Sequence, residues 1–233
     1  MGNVLPEFDR TYAGEQLTEG IEHIPWNIGE PQPAIAELID SGEVRGTVLD
    51  AGCGVGATSL RLAELGHRVL GVDASPHAVR QAEEAARARA STARFEVADI
   101  TELSGHDGEF DTVVDSTLFH SLPVEARSAY LACVARAAAP GAVLHVLVFS
   151  RAAPFPEGMG PNAVTEDELR AAVAEHWMVD RIDDARIAAL LPDAGRPLPE
   201  LGEEMQRALA ALESDDKGRT LLPAFLLRAH LPA

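Results

Sequence analysis

The sequence predicts an α/β fold: a doubly wound sheet of about seven strands, mostly parallel, with a reversed terminal strand. Three observations predict it. Short apolar runs alternate with helical patterns from residue 47 to residue 150, the rhythm of parallel strands joined by crossover helices. Past residue 150 the rhythm breaks, and two further strand-like runs end the chain. With 233 residues, 46% hydrophobic and 24% charged, the chain can bury one sizeable core and is too apolar to be disordered.

Taken in order, residues 1–30 lack clear periodicity. Pro33 opens a short helix, PAIAELID, with proline in its favoured first turn and Ser41-Gly42 at its end. TVLD (47–50) reads as a buried strand and ATSLRLAELG (57–66) as a helix stopped by Gly66. RVLGVD (68–73) is the second strand, and Pro76 starts a helix running to about Ala90. RFEVAD (94–99) and FDTVVD (110–115) follow as strands, then a helix from Pro123 to about Ala138, stopped by Pro140-Gly141. AVLHVLVFS (142–150) is the fifth strand. Thr165 and Glu168 form a capping box for TEDELRAAVAEHW, and 178–191 and 223–231 read as the closing strands. No linker divides the chain, so 1–233 is expected to be a single domain. Residues 1–42 would form an N-terminal lid and helix, and 192–220, with a helix at 200–213, an insertion before the last strand.

Net charge is −18, and Lys217 is the only lysine. Such a field repels phosphate backbones and anionic membranes, so neither nucleic acid nor membrane is an expected partner. The polar, acidic N-terminus carries no secretory signal, and no apolar run approaches the roughly 18 residues of a membrane helix. A cytoplasmic protein, monomer or homodimer, is expected. The two cysteines, Cys53 and Cys133, are too few for a structural zinc site, and no metal is expected.

The strongest chemical signal is VLDAGCGVGATSLRLAELG, residues 48–66. A strand ends in Asp50, and Gly52, Gly54 and Gly56 turn the chain into a helix. Glycines permit positive φ and let backbone approach a ligand with no Cβ in the way. In open α/β sheets ligands sit at the carboxyl ends of the strands, so the turn is a binding site by position as well. Gly52-x-Gly54-x-x-Ala57 also satisfies the dinucleotide fingerprint, and Asp73, ending the second strand, suits ribose hydroxyls in either case. Three features decide between them. Asp50 places a carboxylate where a cationic amino group is welcome and a pyrophosphate is not. Gly56 adds a third glycine at alternating spacing. Asp99-Ile100 offers an acid for an adenine amino group beside an apolar contact. A nicotinamide-dependent oxidoreductase would also show a proton donor such as a Tyr-x-x-x-Lys pair, and neither Tyr12 nor Tyr130 is followed by lysine.

These residues resemble the class I S-adenosylmethionine-dependent methyltransferases, over residues 25–150 most clearly. The resemblance implies a Rossmann-like fold and S-adenosyl-L-methionine as cofactor. It implies that Asp50, Gly52, Cys53 and Gly54 face the methionine part and that Asp73 holds the ribose with Ala74 beside the adenine. Asp99 and Ile100 would hold the adenine edge, and Asp115 and Ser116 would lie beside the sulfonium and the acceptor. IPWNIGEPQPAIAEL (24–38) resembles the small-molecule branch, which includes thiopurine, thiol and halide methyltransferases, and more closely the actinobacterial enzymes that methylate heterocyclic toxins. In that branch the segment is a lid over the cofactor, bringing Trp26 and Gln32 to it; the structural alternative is that Trp26 packs the N-terminal helix onto the sheet.

For catalysis, His120 lies just past the fourth strand, where a neutral imidazole can take an acceptor's proton; Asp115 is the second candidate. His23 is weaker, His145 reads as core, and His176-Trp177-Met178 reads as core or acceptor lining. Cys53 has no basic neighbour to make it a nucleophile. The apolar residues Phe119, Leu122, Phe155, Met159, Leu190 and Leu191 suggest a small, flat, uncharged acceptor, aromatic heterocyclic or phenol-like, methylated at O, N or S. The rivals are a thiol or halide methyltransferase, an NAD(P)-dependent oxidoreductase and a non-catalytic cofactor-binding module.

Overall fold

The computed structural model describes residues 5–14, 24–154, 161–191 and 203–233. Seven strands form one sheet: β1 (Thr47–Ala51), β2 (Arg68–Asp73), β3 (Arg94–Val97), β4 (Phe110–Ser116), β5 (Ala138–Phe149), β6 (Met178–Ala189) and β7 (Thr220–His230). Their order is β3-β2-β1-β4-β5-β7-β6. β1 to β5 run parallel, and β7 slots antiparallel between β5 and β6. The order reverses between β1 and β4. Ligands bind at that switch point in open α/β sheets, and the glycine turn lies there.

Strands buried on both faces must be nearly all apolar, and the central ones, β1, β2, β4 and β5, largely are. Val48, Val69, Val114 and Leu147 pack with Ile35, Leu38 and Ile39 of α2 (Pro33–Asp40) and Leu62 of α3 (Ala57–Glu64). The alternate residues Leu49, Val72, Val113 and Val146 pack on the other face. There they meet Tyr130 and Val134 of α5 (Arg127–Ala137) and Leu169 and Val173 of α6 (Glu166–Ala174). α4 (Pro76–Ala88) starts at Pro76, with Ser75 accepting from the Ala78 N–H as its N-cap. The expected capping box of α6 is present in both directions, Thr165 to Glu168 and back. No helix among the described residues is long and apolar enough to cross a membrane.

Two expectations are corrected. Residues 5–12, read as aperiodic, form a helix, α1 (Leu5–Tyr12). Eight residues give too little periodicity to announce it, and its position is set by contacts with α4. The fifth strand begins at Ala138, not 142: α5 ends at Ala137 and the chain is already extended at Ala138, which pairs with Phe110. Pro140-Gly141 therefore lies inside the strand, at a register shift, with Gly141 at φ 74°. A turn pair at a bulge looks, in sequence, like a helix stop followed by a loop. In the expected insertion, α7 (Glu203–Ala210) is described; residues 192–202 lie outside the described residues, as do His23, Phe155 and Met159.

Candidate active site

The glycine turn leaves β1 with Gly52, Gly54 and Gly56 all at positive φ, 70°, 52° and 82°. An L side chain is strained there, and space forbids one as well. A Cβ on Gly52 would stand 2.8 Å from Leu118, one on Gly54 2.8 Å from the Tyr12 hydroxyl, and one on Gly56 2.8 Å from the Phe95 ring. Four of the turn's amides are spent internally. Gly52 and Cys53 donate to the Val72 carbonyl, Gly56 to the Cys53 carbonyl, and Gly54 to Asp73 Oδ2 at 2.9 Å. The glycines thus shape a close approach and do not offer these four N–H groups to a ligand.

Asp50 is buried and accepts from Ser59 Oγ on α3 at 2.6 Å. Burial pushes its carboxyl up to about 6, with Asp73 nearby adding to the rise. Asp73 accepts from the N–H groups of Gly54 and Ser75, one on each oxygen, so it joins the β1 and β2 turns. Each oxygen keeps a second acceptor site. Burial raises its pKa too. Ala74 is half-buried beside it. Burial also raises the Cys53 thiol well above its usual range, as expected for a packing cysteine and not a nucleophile. At the end of β3, Asp99 is exposed and accepts from the Thr101 N–H and hydroxyl on Oδ1, while Ile100 beneath it is buried.

Helix α1 folds back over this region. Asp9 accepts from Ser75 Oγ at 2.7 Å and pairs with His77 Nδ1 at 2.9 Å, and the Tyr12 carbonyl accepts from Gln81 on α4. Trp26 is half-buried and donates from Nε1 to the Tyr12 hydroxyl at 3.2 Å. Gln32 is spent elsewhere: its amide pairs with the backbone N–H and carbonyl of Ala188 on β6.

Past β4 the groups change character. Asp115 is fully buried and accepts from the Leu118 and Phe119 N–H groups and from the Tyr130 hydroxyl. Burial pushes its carboxyl up to about 7. It pins a sharp turn in which Ser116 is half-buried and Thr117 sits at φ 80°. A β-branched residue there stores strain of roughly 1–3 kcal/mol. His120 is 3% exposed, and its Nδ1 accepts from the Phe149 N–H at 3.1 Å. Burial holds its pKa down to about 3, so the ring is neutral and its one proton sits on Nε2. Around it, Arg127 donates to the Asn162 carbonyl and stacks over Phe119, while the Asn162 N–H donates to the His120 carbonyl.

The structure therefore brings Asp50, Asp73 and Asp115 to the mouths of β1, β2 and β4, with Asp99-Ile100 at the rim. Other expected residues scatter. Phe119, Leu122 and Trp177 are core, and Met178 and Leu190 are exposed. His145 is fully buried inside β5, where burial lowers its pKa to about 4. Sequence reading missed Tyr12, Ser59, Thr117, Arg127 and Asn162. Ser59 alone carried a signal, lying on the helix that opens directly after the glycines.

A doubly wound sheet with an acid-and-glycine turn at its switch point, acids ending β2 and β4, and β7 reversed beside β5 defines an enzyme of the methyltransferase class. Residues 48–141 match the family described as a methyltransferase domain. The 2-heptyl-1-hydroxyquinolin-4(1H)-one methyltransferase of Mycobacteroides abscessus is 44% identical over 229 residues, 98% of each chain. A solved structure from work on converting a disulfide bond into a thioacetal group in echinomycin biosynthesis is 32% identical, with a TM-score of 0.81 over 99% of this chain and 93% of that one. The Burkholderia thailandensis 1,6-didemethyltoxoflavin-N1-methyltransferase, solved with 1,6-didemethyltoxoflavin and S-adenosylhomocysteine bound, shares the fold at a TM-score of 0.58 and 23% identity, over 86% and 77% of the two chains. The chain belongs to the class I S-adenosylmethionine-dependent methyltransferases. The dinucleotide reading of Gly52-x-Gly54-x-x-Ala57 gives way to it.

Proposed function

We propose that the protein transfers a methyl group to the acidic hydroxyl of a small, largely apolar aromatic heterocycle. The observation behind this reading is the end-to-end similarity to the hydroxyquinolone methyltransferase, at 44% identity over 98% of both chains. Partial likeness to the probable thiol methyltransferase 2 of Arabidopsis thaliana, 28% identical over 54% of this chain, is weaker support for the thiol rival.

The turn residues suit the cofactor. Asp73, with an acceptor site left on each oxygen, would hold the ribose hydroxyls, with Ala74 beside the adenine. Asp99, through Oδ2, would take the adenine amino group over Ile100. Asp50 would face the methionine ammonium across Gly52, Cys53 and Gly54, and Trp26 would close the lid through Tyr12. When bound, the cofactor supplies an electrophilic methyl carbon on its sulfonium. The protein's part is alignment and exclusion of water, which can contribute roughly 7–11 kcal/mol of the barrier. Ser116 and the turn pinned by Asp115 would set the acceptor's distance; with its carboxylate already taken by three donors, Asp115 acts by position. His120 is assigned as a neutral donor through Nε2–H to the acceptor's oxygen, in preference to a base, because Nδ1 already accepts from Phe149. An acceptor acidic enough to bind as its anion needs no strong base.

Methyl-labelled cofactor incubated with a panel of hydroxyquinolones, phenols, thiols and halides checks this. Label should pass to the hydroxylated heterocycles. Transfer confined to thiols or halide would overturn the acceptor assignment and leave the methyltransferase class standing.

A further inference from the structure

A zwitterionic amino-acid tail needs an acceptor for its ammonium and a donor for its carboxylate. Asp50 can serve the first. The donor is harder to find, because the amides of Gly52, Cys53, Gly54 and Gly56 are all engaged within the protein. No arginine or lysine lies in the 50–59 segment, and Arg61 on α3 is paired with Asp40 at the surface. Among the side chains brought to the turn from outside it, Leu118 and Phe95 are apolar and Asp73 only accepts, which leaves one hydroxyl donor. The Tyr12 hydroxyl rests against Gly54, 2.8 Å from where a Cβ would stand. It accepts from Trp26 Nε1, and no acceptor among the described residues takes its own proton. Its place is fixed by an anchor at each end of the last turn of α1: Asp9 on Ser75 and His77, and the Tyr12 carbonyl on Gln81. Burial and the nearby Asp73 push the phenol above its usual range, so it stays protonated.

We infer that Tyr12 is a cofactor-binding residue whose hydroxyl donates to the carboxylate at the amino-acid end of the cofactor, an assignment that rests on the methyltransferase reading above. Tyr12 thereby couples closure of α1 to the presence of that carboxylate: the helix brings the donor, and the ligand supplies the acceptor the phenol lacks.

Isothermal titration of the full chain and of Tyr12→Phe tests this with two ligands, S-adenosylhomocysteine and 5′-methylthioadenosine, which has the nucleoside and thioether but no amino-acid tail. The variant keeps the ring that packs on Gly54, and its thermal melting should match the wild type. Its Kd for S-adenosylhomocysteine should rise about tenfold, the size of one lost hydrogen bond to a charged group. Its Kd for 5′-methylthioadenosine should stay the same. Equal weakening for both ligands would make Tyr12 a packing residue of the lid, and no change for either would remove it from the site; both overturn the inference. A wild-type protein that binds neither ligand would overturn the cofactor reading itself.

Discussion

The two halves of the site are built by different means. At the mouths of β1 and β2 the groups are carboxylates held by near neighbours: Asp50 by Ser59, and Asp73 by Gly54 and Ser75, all within 26 residues of chain. Past β4 Asp115 is again held by near neighbours, but the neutral His120 and the cationic Arg127 are buried and assembled from afar. His120 is fixed by Phe149, and Arg127 by Asn162. The contrast teaches that the half proposed to seat the cofactor is a local motif any sheet of this type can carry, whereas the half proposed to take the acceptor depends on how β4, β5 and the segment after β5 pack. Mutations should separate the two, costing affinity in the first half and stability in the second.

The largest effect should come from Asp115→Ala. It strands the backbone N–H groups of Leu118 and Phe119 and the buried Tyr130 hydroxyl, and should lower unfolding stability by on the order of 3 kcal/mol in urea titration. A loss of a few tenths would erase the contrast.

The pH dependence of stability sharpens it further. Asp115 is raised to about 7 in the fold against an ordinary value of 3.8, so the native state holds the proton where the unfolded chain has lost it. Its contribution is complete below about pH 4 and declines as pH rises to about 7. Asp115→Asn, which carries no titrating proton, should remove that decline: the stability of the wild type relative to the variant should fall from pH 4 to pH 7. A difference that grew with pH would mean the carboxylate is ionised in the fold.

The smallest effect is expected at Thr117→Gly. Glycine relieves the φ of 80° but adds freedom to the unfolded chain, so unfolding stability should change by less than about 1 kcal/mol. Turnover should drop while cofactor affinity holds, because the strained turn is proposed to position acceptor and not cofactor. A parallel loss of cofactor affinity would place Thr117 in the other half.

The same division governs what the sequence could show. Asp50, the three glycines and Asp73 were readable because a strand's end and a turn's glycines lie next to each other in the chain. The sheet was readable because buried parallel strands are apolar runs of recognisable length. The partner of His120 was not, since nothing in FHSLP points to a backbone N–H on Phe149, nor does the chain announce that Asn162 will cap Arg127. Helix α1 was missed for a related reason: its eight residues are held by Asp9 and Tyr12 meeting the start of α4, α4 itself and the glycine turn, contacts 42 and more residues away in sequence.

The carboxylates and glycines at the mouths of β1 and β2 are proposed to seat the cofactor. Calorimetric titration of wild type and Asp73→Ala with S-adenosylhomocysteine, with a nicotinamide dinucleotide as control, tests it most directly. Wild type should bind with micromolar Kd and ignore the dinucleotide, and the variant should lose about 1–3 kcal/mol of affinity with its charge-assisted hydrogen bonds. Equal affinity in the two proteins, or heat from the dinucleotide alone, would contradict it.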